Sequence, residues 1–316
     1  MELKTPFAVG TVNAYLIEDD PLTLIDCGPN TATGLVRLEE LLAARGHALT
    51  DLGLVVVTHE HIDHTGLAGV IAARSGAELA CINLLATALE NWKQYSVARD
   101  DYALALMLRH GVEPHVAKAL RAVANVTRGF GAPASPDRGL EVGGTLTLRD
   151  RGLTVLHRPG HSRSDTVLYD HSRGIAFLGD HLLARFSPNA LVDHAMDNDP
   201  TRRAEPLLAY RHSLIETRRL DLEIGLTGHG PPIVDHRALI DERLREQERR
   251  AEQFYELLAD GPRSAFELAT ARWRGVAVTQ AFLTVSEVLG HLGLLIAERR
   301  VVEDDSNEIV LFEQLR

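Results

Sequence analysis

The chain is short of the residues that usually build a metal site or a covalent staple. Its only cysteines are Cys27 and Cys81, which excludes a disulfide scaffold and any zinc ribbon made of thiolates. Aromatic residues fill 5% of the 316 positions, so the core has to be packed from Leu, Val, Ile and Ala. Lysine occurs only as Lys4, Lys93 and Lys118. The formal charge of −11 gives little attraction for nucleic-acid phosphates or an anionic membrane. No apolar run approaches the roughly 18 residues that a membrane-spanning helix needs, and Met1–Leu16 lacks the basic-then-apolar layout of a leader. A soluble, cytoplasmic protein is therefore expected. Against these shortages stands one surplus, 15 histidines. A metal site here would have to be made from imidazole and carboxylate.

Strand-like alternation through Thr11–Ile17 and Leu22–Asp26, joined by a Glu18–Pro21 turn, predicts a hairpin. Thr33–Arg45 carries Leu35, Leu38, Leu41 and Leu42 at helical spacing. Leu52–Val57 is a short apolar run of the kind buried on both faces. Asn83–Arg128 reads as helical throughout; strands resume at Leu146–Leu148, Thr154–His157, Asp165–Tyr169 and Ile175–Leu178. A looser segment, Ala184–Asp199, precedes a helix near Arg202–Thr217 and a strand at Glu223–Leu226. After Pro232 the character changes. Asp235–Asp260, Ser264–Trp273 and Val278–Ala297 read as helices, and Val301–Val302 with Ile309–Phe312 as a hairpin. The expected class is α/β, with one domain over 1–235 that holds a helical insertion at about 83–128. A long helix and a small winged-helix-like domain are expected over 236–316.

The buried run at Leu52–Val57 leads directly into Thr58-His59-Glu60-His61-Ile62-Asp63-His64-Thr65-Gly66. Residues i and i+2 of an extended segment face the same way, so His59 and His61 can project together. Asp63 and His64 follow in the turn, where they can face a second centre. Imidazoles and a carboxylate this close suit Zn²⁺, and also Fe or Mn. The pattern recurs downstream: His161 follows Thr154–His157, Asp180 follows Ile175–Leu178, and His229 follows Glu223–Leu226, each beside a glycine that permits a sharp turn. Strand ends are where sites assemble in α/β folds.

These motifs resemble the metallo-β-lactamase superfamily. The likeness runs over roughly Val9–Val234 through Leu24-Ile25-Asp26-Cys27-Gly28, Thr58–Gly66, Pro159-Gly160-His161-Ser162, Gly179-Asp180 and Gly228-His229-Gly230. The resemblance implies an αβ/βα sandwich and a dinuclear site. One metal would take His59, His61 and His161, the other Asp63, His64 and His229, with Asp180 bridging. Asp26 would orient a ligand without binding metal. By its position next to Asp180, His181 could either reach the substrate or stand behind the ligands. A hydroxide shared by two Zn²⁺ ions would then attack an electrophilic carbonyl or phosphorus, with Asp63 as the catalytic residue that holds the nucleophile and passes its proton on.

The substrate is less legible. Glyoxalase II relatives carry a Cys-Gly-Arg-Phe-type segment after the bridging aspartate and basic glutathione contacts near the C-terminus, whereas here Asp180 is followed by His181-Leu182-Leu183-Ala184-Arg185 and the tail has no lysine. Lactonases of similar fold place a tyrosine where this chain has Leu183. An ester, thioester or lactone of a small molecule is the expected substrate. The alternatives are a phosphodiesterase or ribonuclease of the same fold and a mononuclear iron sulfur dioxygenase using His59, His61 and His161. A non-enzymatic winged-helix regulator is disfavoured, because Val278–Ala297 has no Lys or Arg to meet phosphate. Its apolar spacing favours packing, which leaves a homodimer open. Trp92, Tyr95, Tyr102 and Met107 lie where a lid could line an acyl pocket, although packed helix faces explain them as well. Arg185 and Asn189 are positioned to meet a substrate carbonyl or carboxylate. His47, His110, His115, His171, His212 and His236 read as solvated.

Overall fold

The computed structural model describes residues 1–193 and 204–315. The end of the looser segment and the start of the helix expected near Arg202 lie outside the described residues. The chain divides into two compact units: Met1–Ser96, Thr127–Pro188 and Glu216–Leu239 form one, and Val97–Val126, Asn189–Ile215 and Ile240–Arg316 the other.

The first unit is built on two sheets. A hairpin of β1 (Glu2–Lys4) and β2 (Thr11–Asn13) precedes a five-stranded sheet of β3 (Tyr15–Ile17), β4 (Thr23–Ile25), β5 (Leu54–Val56), β6 (Glu78–Ile82) and β7 (Arg138–Leu140), in that spatial order. The β3–β4 pair is antiparallel, as the expected hairpin requires, and the remaining pairs are parallel. The second sheet contains β8 (Thr145–Thr147), β9 (Gly152–His157), β10 (Thr166–Asp170), β11 (Ile175–Gly179) and β12 (Ile224–Thr227). It is antiparallel up to the parallel β11–β12 pair.

One apolar core joins the two sheets. Leu24, Val55 and Val56 of the first meet Leu153, Val155, Leu168 and Phe177 of the second. The same core takes Leu35, Leu38 and Leu42 of α1 (Ala32–Ala43), Ile71 of α3 (Ala68–Ser75) and Leu85 and Leu89 of α4 (Asn83–Glu90), so β5 is covered on both faces. Helix α1 starts where Thr31 accepts the Gly34 N–H at 2.9 Å, and α3 stops at Gly76 in the left-handed region. Between them the four-residue α2 (Ile62–Thr65) follows the end of β5.

The helical stretch expected over 83–128 resolves into α4, α5 (Trp92–Arg109) and α6 (Pro114–Thr127). Helices α7 (Pro206–Arg218) and α8 (His236–Leu257) follow. The C-terminal helical domain lies in the second unit and contains α9 (Ala265–Trp273), α10 (Gly275–Thr279), α11 (Ala281–Ala297) and a hairpin of β13 (Val301–Asp304) and β14 (Leu311–Gln314). The expected Val278–Ala297 helix breaks at Gln280 (φ −127°, ψ 39°), where the Thr284 hydroxyl bonds the Gln280 carbonyl at 3.1 Å. Val285, Val288, Leu289, Leu292 and Leu295 are buried, in keeping with a packing role. Arg109 grips the β13–β14 turn through the carbonyls of Asp305, Asn307 and Glu308.

Two histidines expected to be solvated are buried. His110 stacks on Phe312 with centroids 6.0 Å apart, and the His236 ring bonds the Leu220 carbonyl at 3.1 Å. In each case burial of the ring is offset by a specific neighbour that periodicity does not reveal.

Candidate metal centre

Strand ends bring the seven predicted ligands of the first unit together. β5 delivers His59 and His61, α2 carries Asp63 and His64, and β9, β11 and β12 run out into His161, Asp180 and His229. Three donor sets fall within 4.8 Å: His59, His61 and His161; His59, His64 and Asp180; Asp63, His64 and His229. In the first, His61 Nδ1 lies 3.1 Å from His59 Nε2 and 2.8 Å from His161 Nε2. Asp180 stands between the sets, with Oδ2 3.5 Å from His161 Nε2 and 3.3 Å from His229 Nε2, and Oδ1 3.4 Å from His64 Nε2. Asp63 Oδ2 is 3.3 Å from His229 Nε2.

The nitrogens turned away from these clusters are held. Asp26 Oδ2 accepts from His64 Nδ1–H at 2.7 Å and from the Thr58 hydroxyl at 2.9 Å, while Oδ1 accepts the Thr58 N–H. Because that hydroxyl proton is committed to Asp26, the 3.0 Å contact between Thr58 Oγ1 and His59 Nδ1 has the imidazole as donor. His229 Nδ1–H donates to the Thr11 carbonyl at 2.6 Å. Each bond fixes the ring so that Nε2 faces the cluster, where it can ligate a cation once deprotonated. Asp26 does this from the left-handed region (φ 57°), which aspartate tolerates better than most residues. The remaining predicted position, His181, is fully buried, and its Nε2 meets Thr217 Oγ1 at 2.8 Å.

The donor atoms fit a cation. His64 Nε2 and Asp180 Oδ1 are buried and have no hydrogen-bond partner among the described residues, a costly arrangement unless something positive sits between them. A Cβ at Gly228 would come within 2.1 Å of Asp180 Oδ1 and 2.7 Å of His64 Cε1, so only glycine lets this loop approach the pair. The protonation pattern is polarised accordingly. Burial, aided by His64 and His61, holds His59 well below its ordinary value. Burial acts against the charge of His64 too, but Asp180, Asp26 and Asp63 overcome it and push His64 well up. His229 is raised to about 9, because the bonds it donates to Asp180 and Asp63 outweigh burial. Asp63 and Asp180 are lowered despite burial, chiefly by His64 and the bond from His229.

A model of the metallo-beta-lactamase superfamily matches residues 8–229. The chain belongs to that superfamily. Among its relatives, "Probable metallo-hydrolase YqjP" of Bacillus subtilis (strain 168) is 32% identical over 316 residues, covering 100% of this chain and 97% of the relative. "Acyl-coenzyme A thioesterase MBLAC2" of Gallus gallus is 31% identical over 175 residues, 53% of this chain and 56% of the relative. A metallo-beta-lactamase family protein from Thermus thermophilus superposes with a TM-score of 0.82 at 26% identity, over 99% of this chain and 97% of that one. A beta-lactamase domain protein from Burkholderia ambifaria also gives 0.82, at 24% identity over 100% and 90%, a likeness of fold. The αβ/βα superfamily fold is thus the fold of this chain, and its His/Asp clusters are able to hold the divalent metals that the superfamily binds.

Sequence reasoning passed over several residues around this superfamily centre. Thr58 was visible as the first residue of the histidine motif, yet nothing in its spacing signals a bond to Asp26. Thr11 acts through its carbonyl, which no side-chain pattern reports. Ser162 and Asp165 form a closed turn after His161, with Ser162 N–H and hydroxyl donating to Asp165 at 2.9 and 2.8 Å; the Ser-x-x-Asp spacing was the available signal. Asp165 is pushed up to about 7, mainly by burial. Asn189, a suggested substrate contact, donates to the Leu283 carbonyl at 2.8 Å within the second unit, and Arg185 lies against Gly230. Trp92 packs on Gly131 next to Ile62, as a helix-face residue does.

Proposed function

We propose that this metallo-hydrolase is a dinuclear enzyme cleaving an ester, thioester or lactone bond of a small molecule. The observation that carries the reading is the pair of donor sets, three histidines on one side and Asp63, His64 and His229 on the other, with Asp180 reaching both. Nitrogen and carboxylate donors without cysteine suit Zn²⁺, and also Fe or Mn. When bound, two such ions would supply Lewis acidity and an acidified water near neutral pH.

The chain's own groups supply the rest. Asp26, Thr58 and the Thr11 carbonyl keep the imidazoles in one tautomer, so no reorientation accompanies catalysis. Asp63, with one oxygen 3.3 Å from His229, is the group proposed to take the nucleophile's proton and return it to the leaving group. Thioesters gain support from the MBLAC2 relatives, which are named as acyl-coenzyme A thioesterases.

The test combines metal analysis with a substrate panel. Two Zn per chain, with turnover of p-nitrophenyl esters, acyl thioesters or lactones that is abolished in His61→Ala, is the expected result. Turnover confined to bis-p-nitrophenyl phosphate would replace the proposal with a phosphodiesterase, and a single iron per chain would replace it with the dioxygenase.

A further inference from the structure

The two donor sets are held in different ways. His64 and His229 are held on Nδ1 by Asp26 and the Thr11 carbonyl, and His59 by Thr58 of its own loop. The three-histidine set has to be assembled across two separate loops, Thr58–His61 and His161–Asp165. His61 stands at the N-cap of α2, where its carbonyl accepts from the His64 and Thr65 N–H groups at 2.9 and 3.0 Å.

Beside the His61–His161 contact, Ser164 bonds across those loops, and Thr166, the next residue on, bonds back to the first. Thr166 N–H donates to the Thr58 carbonyl at 3.0 Å, and the Ser164 hydroxyl donates to Glu60 Oε2 in a short contact. Glu60 lies between two predicted ligands and is only 4% exposed; Ser164 is 2% exposed. A position that needed packing alone would carry an apolar side chain, because a buried carboxylate is costly unless it is bonded. The loop at the other end is one body. Ser164 N–H donates to Ser162 Oγ at 3.2 Å, and Ser162 donates twice to Asp165, so a grip on Ser164 is a grip on the whole turn that follows His161.

We propose that Glu60 is a positioning residue for the three-histidine site, setting through Ser164 the separation between His59 and His61 on one loop and His161 on the other. The inference rests on the dinuclear reading above and makes it selective. Loosening the Glu60–Ser164 bond should weaken one metal and spare the other, since Asp26 and Thr11 do not depend on it.

The test is Zn²⁺ and Co²⁺ titration of the metal-free full chain by calorimetry, with Co²⁺ absorption recorded in parallel. His161→Ala and His229→Ala assign the two binding events to their sites. Glu60→Ala and Ser164→Ala are each expected to lower affinity about 10–100-fold at the event that His161→Ala abolishes, with the other event unchanged. Ser164→Ala removes only a hydroxyl and so covers the case in which Glu60→Ala does not fold. Glu60→Gln keeps an acceptor oxygen and should restore binding. Equal weakening of both events, an unchanged affinity with a lowered Tm, or no rescue by glutamine overturns the role of Glu60. A wild-type chain that binds no metal overturns the dinuclear reading and the inference with it.

Discussion

Replacing Gly228 by alanine tests the centre with a single methyl group. Gly228 does not occupy the left-handed region, so alanine meets no backbone penalty and the effect is purely one of space. The added Cβ would lie 2.1 Å from Asp180 Oδ1, against an ordinary van der Waals separation of roughly 3.5 Å. The carboxylate, the loop, or both must therefore give way by about 1.4 Å. The same Cβ would lie 3.0 Å from backbone Gly179 C, so the clash is with backbone as well as with side chains. Ligand distances tolerate shifts of only about 0.2 Å, so Asp180 should lose its reach to both sets. Overpacking of this kind costs about 1–3 kcal/mol, which predicts a Tm lowered by several degrees in the metal-free chain. Metal content by plasma emission should fall below two per chain, and differential scanning calorimetry should show little stabilisation by added Zn²⁺. A Gly228→Ala chain that binds two metals with wild-type affinity and melts at the wild-type temperature would refute the placement of Asp180.

Three further outcomes follow from the geometry. Asp26→Asn keeps the shape and tolerates the left-handed backbone, so its expected loss of about 10–100-fold in metal affinity reports the bonds to His64 and Thr58 alone; an unchanged isotherm would remove Asp26 from the centre. In the metal-free chain the raised His64 and His229 contribute stability that is complete below about pH 6.5 and is lost as pH rises, for His229 through about 9, whereas the lowered Asp63 and Asp180 contribute stability that is lost as pH falls below the ordinary carboxylate range. Metal-free Tm should fall on both sides of that window, and Zn²⁺ affinity should rise with pH up to about 9 as histidine protons cease to compete; a flat affinity profile contradicts the assignment. Ser264→Ala breaks the capping box with Glu267 at the start of α9 and should cost about 1 kcal/mol in urea unfolding, leaving metal stoichiometry at its wild-type value.

Much of the candidate site was legible because it sits in side chains at strand ends. The six-residue cluster from His59 to His64 follows an apolar run, and His161, Asp180 and His229 repeat that grammar beside glycines. The elements α3 and β6, between Gly66 and Asn83, were not read. Glu78-Leu79-Ala80-Cys81-Ile82 is strand only because β5 and β7 flank it, and alanine and cysteine carry little strand signal of their own. The burial of His110 and His236 likewise depends on partners distant in sequence, Phe312 and Leu220. The support of the centre was hidden for a further reason. Thr11 contributes a main-chain oxygen, and Thr58, Glu60 and Ser164 contribute bonds whose ends are joined only by the fold.

The spacing of the ligands along the chain bears on the order in which this molecule takes shape. His61 and His161 are 100 residues apart, and Thr11 is 218 residues from the His229 ring that it holds. A nascent chain carrying only the first sheet possesses His59, His61, Asp63 and His64 but no closed cage, so any ion it catches is weakly held. The set of donors is complete only once the second sheet contributes the late ligands. An ion held there would act as a clasp over loops whose closure costs the chain entropy. Occupancy would thereby register that both halves of the sandwich are in place, and a chelator would act on the seam between the sheets before it reached either sheet alone.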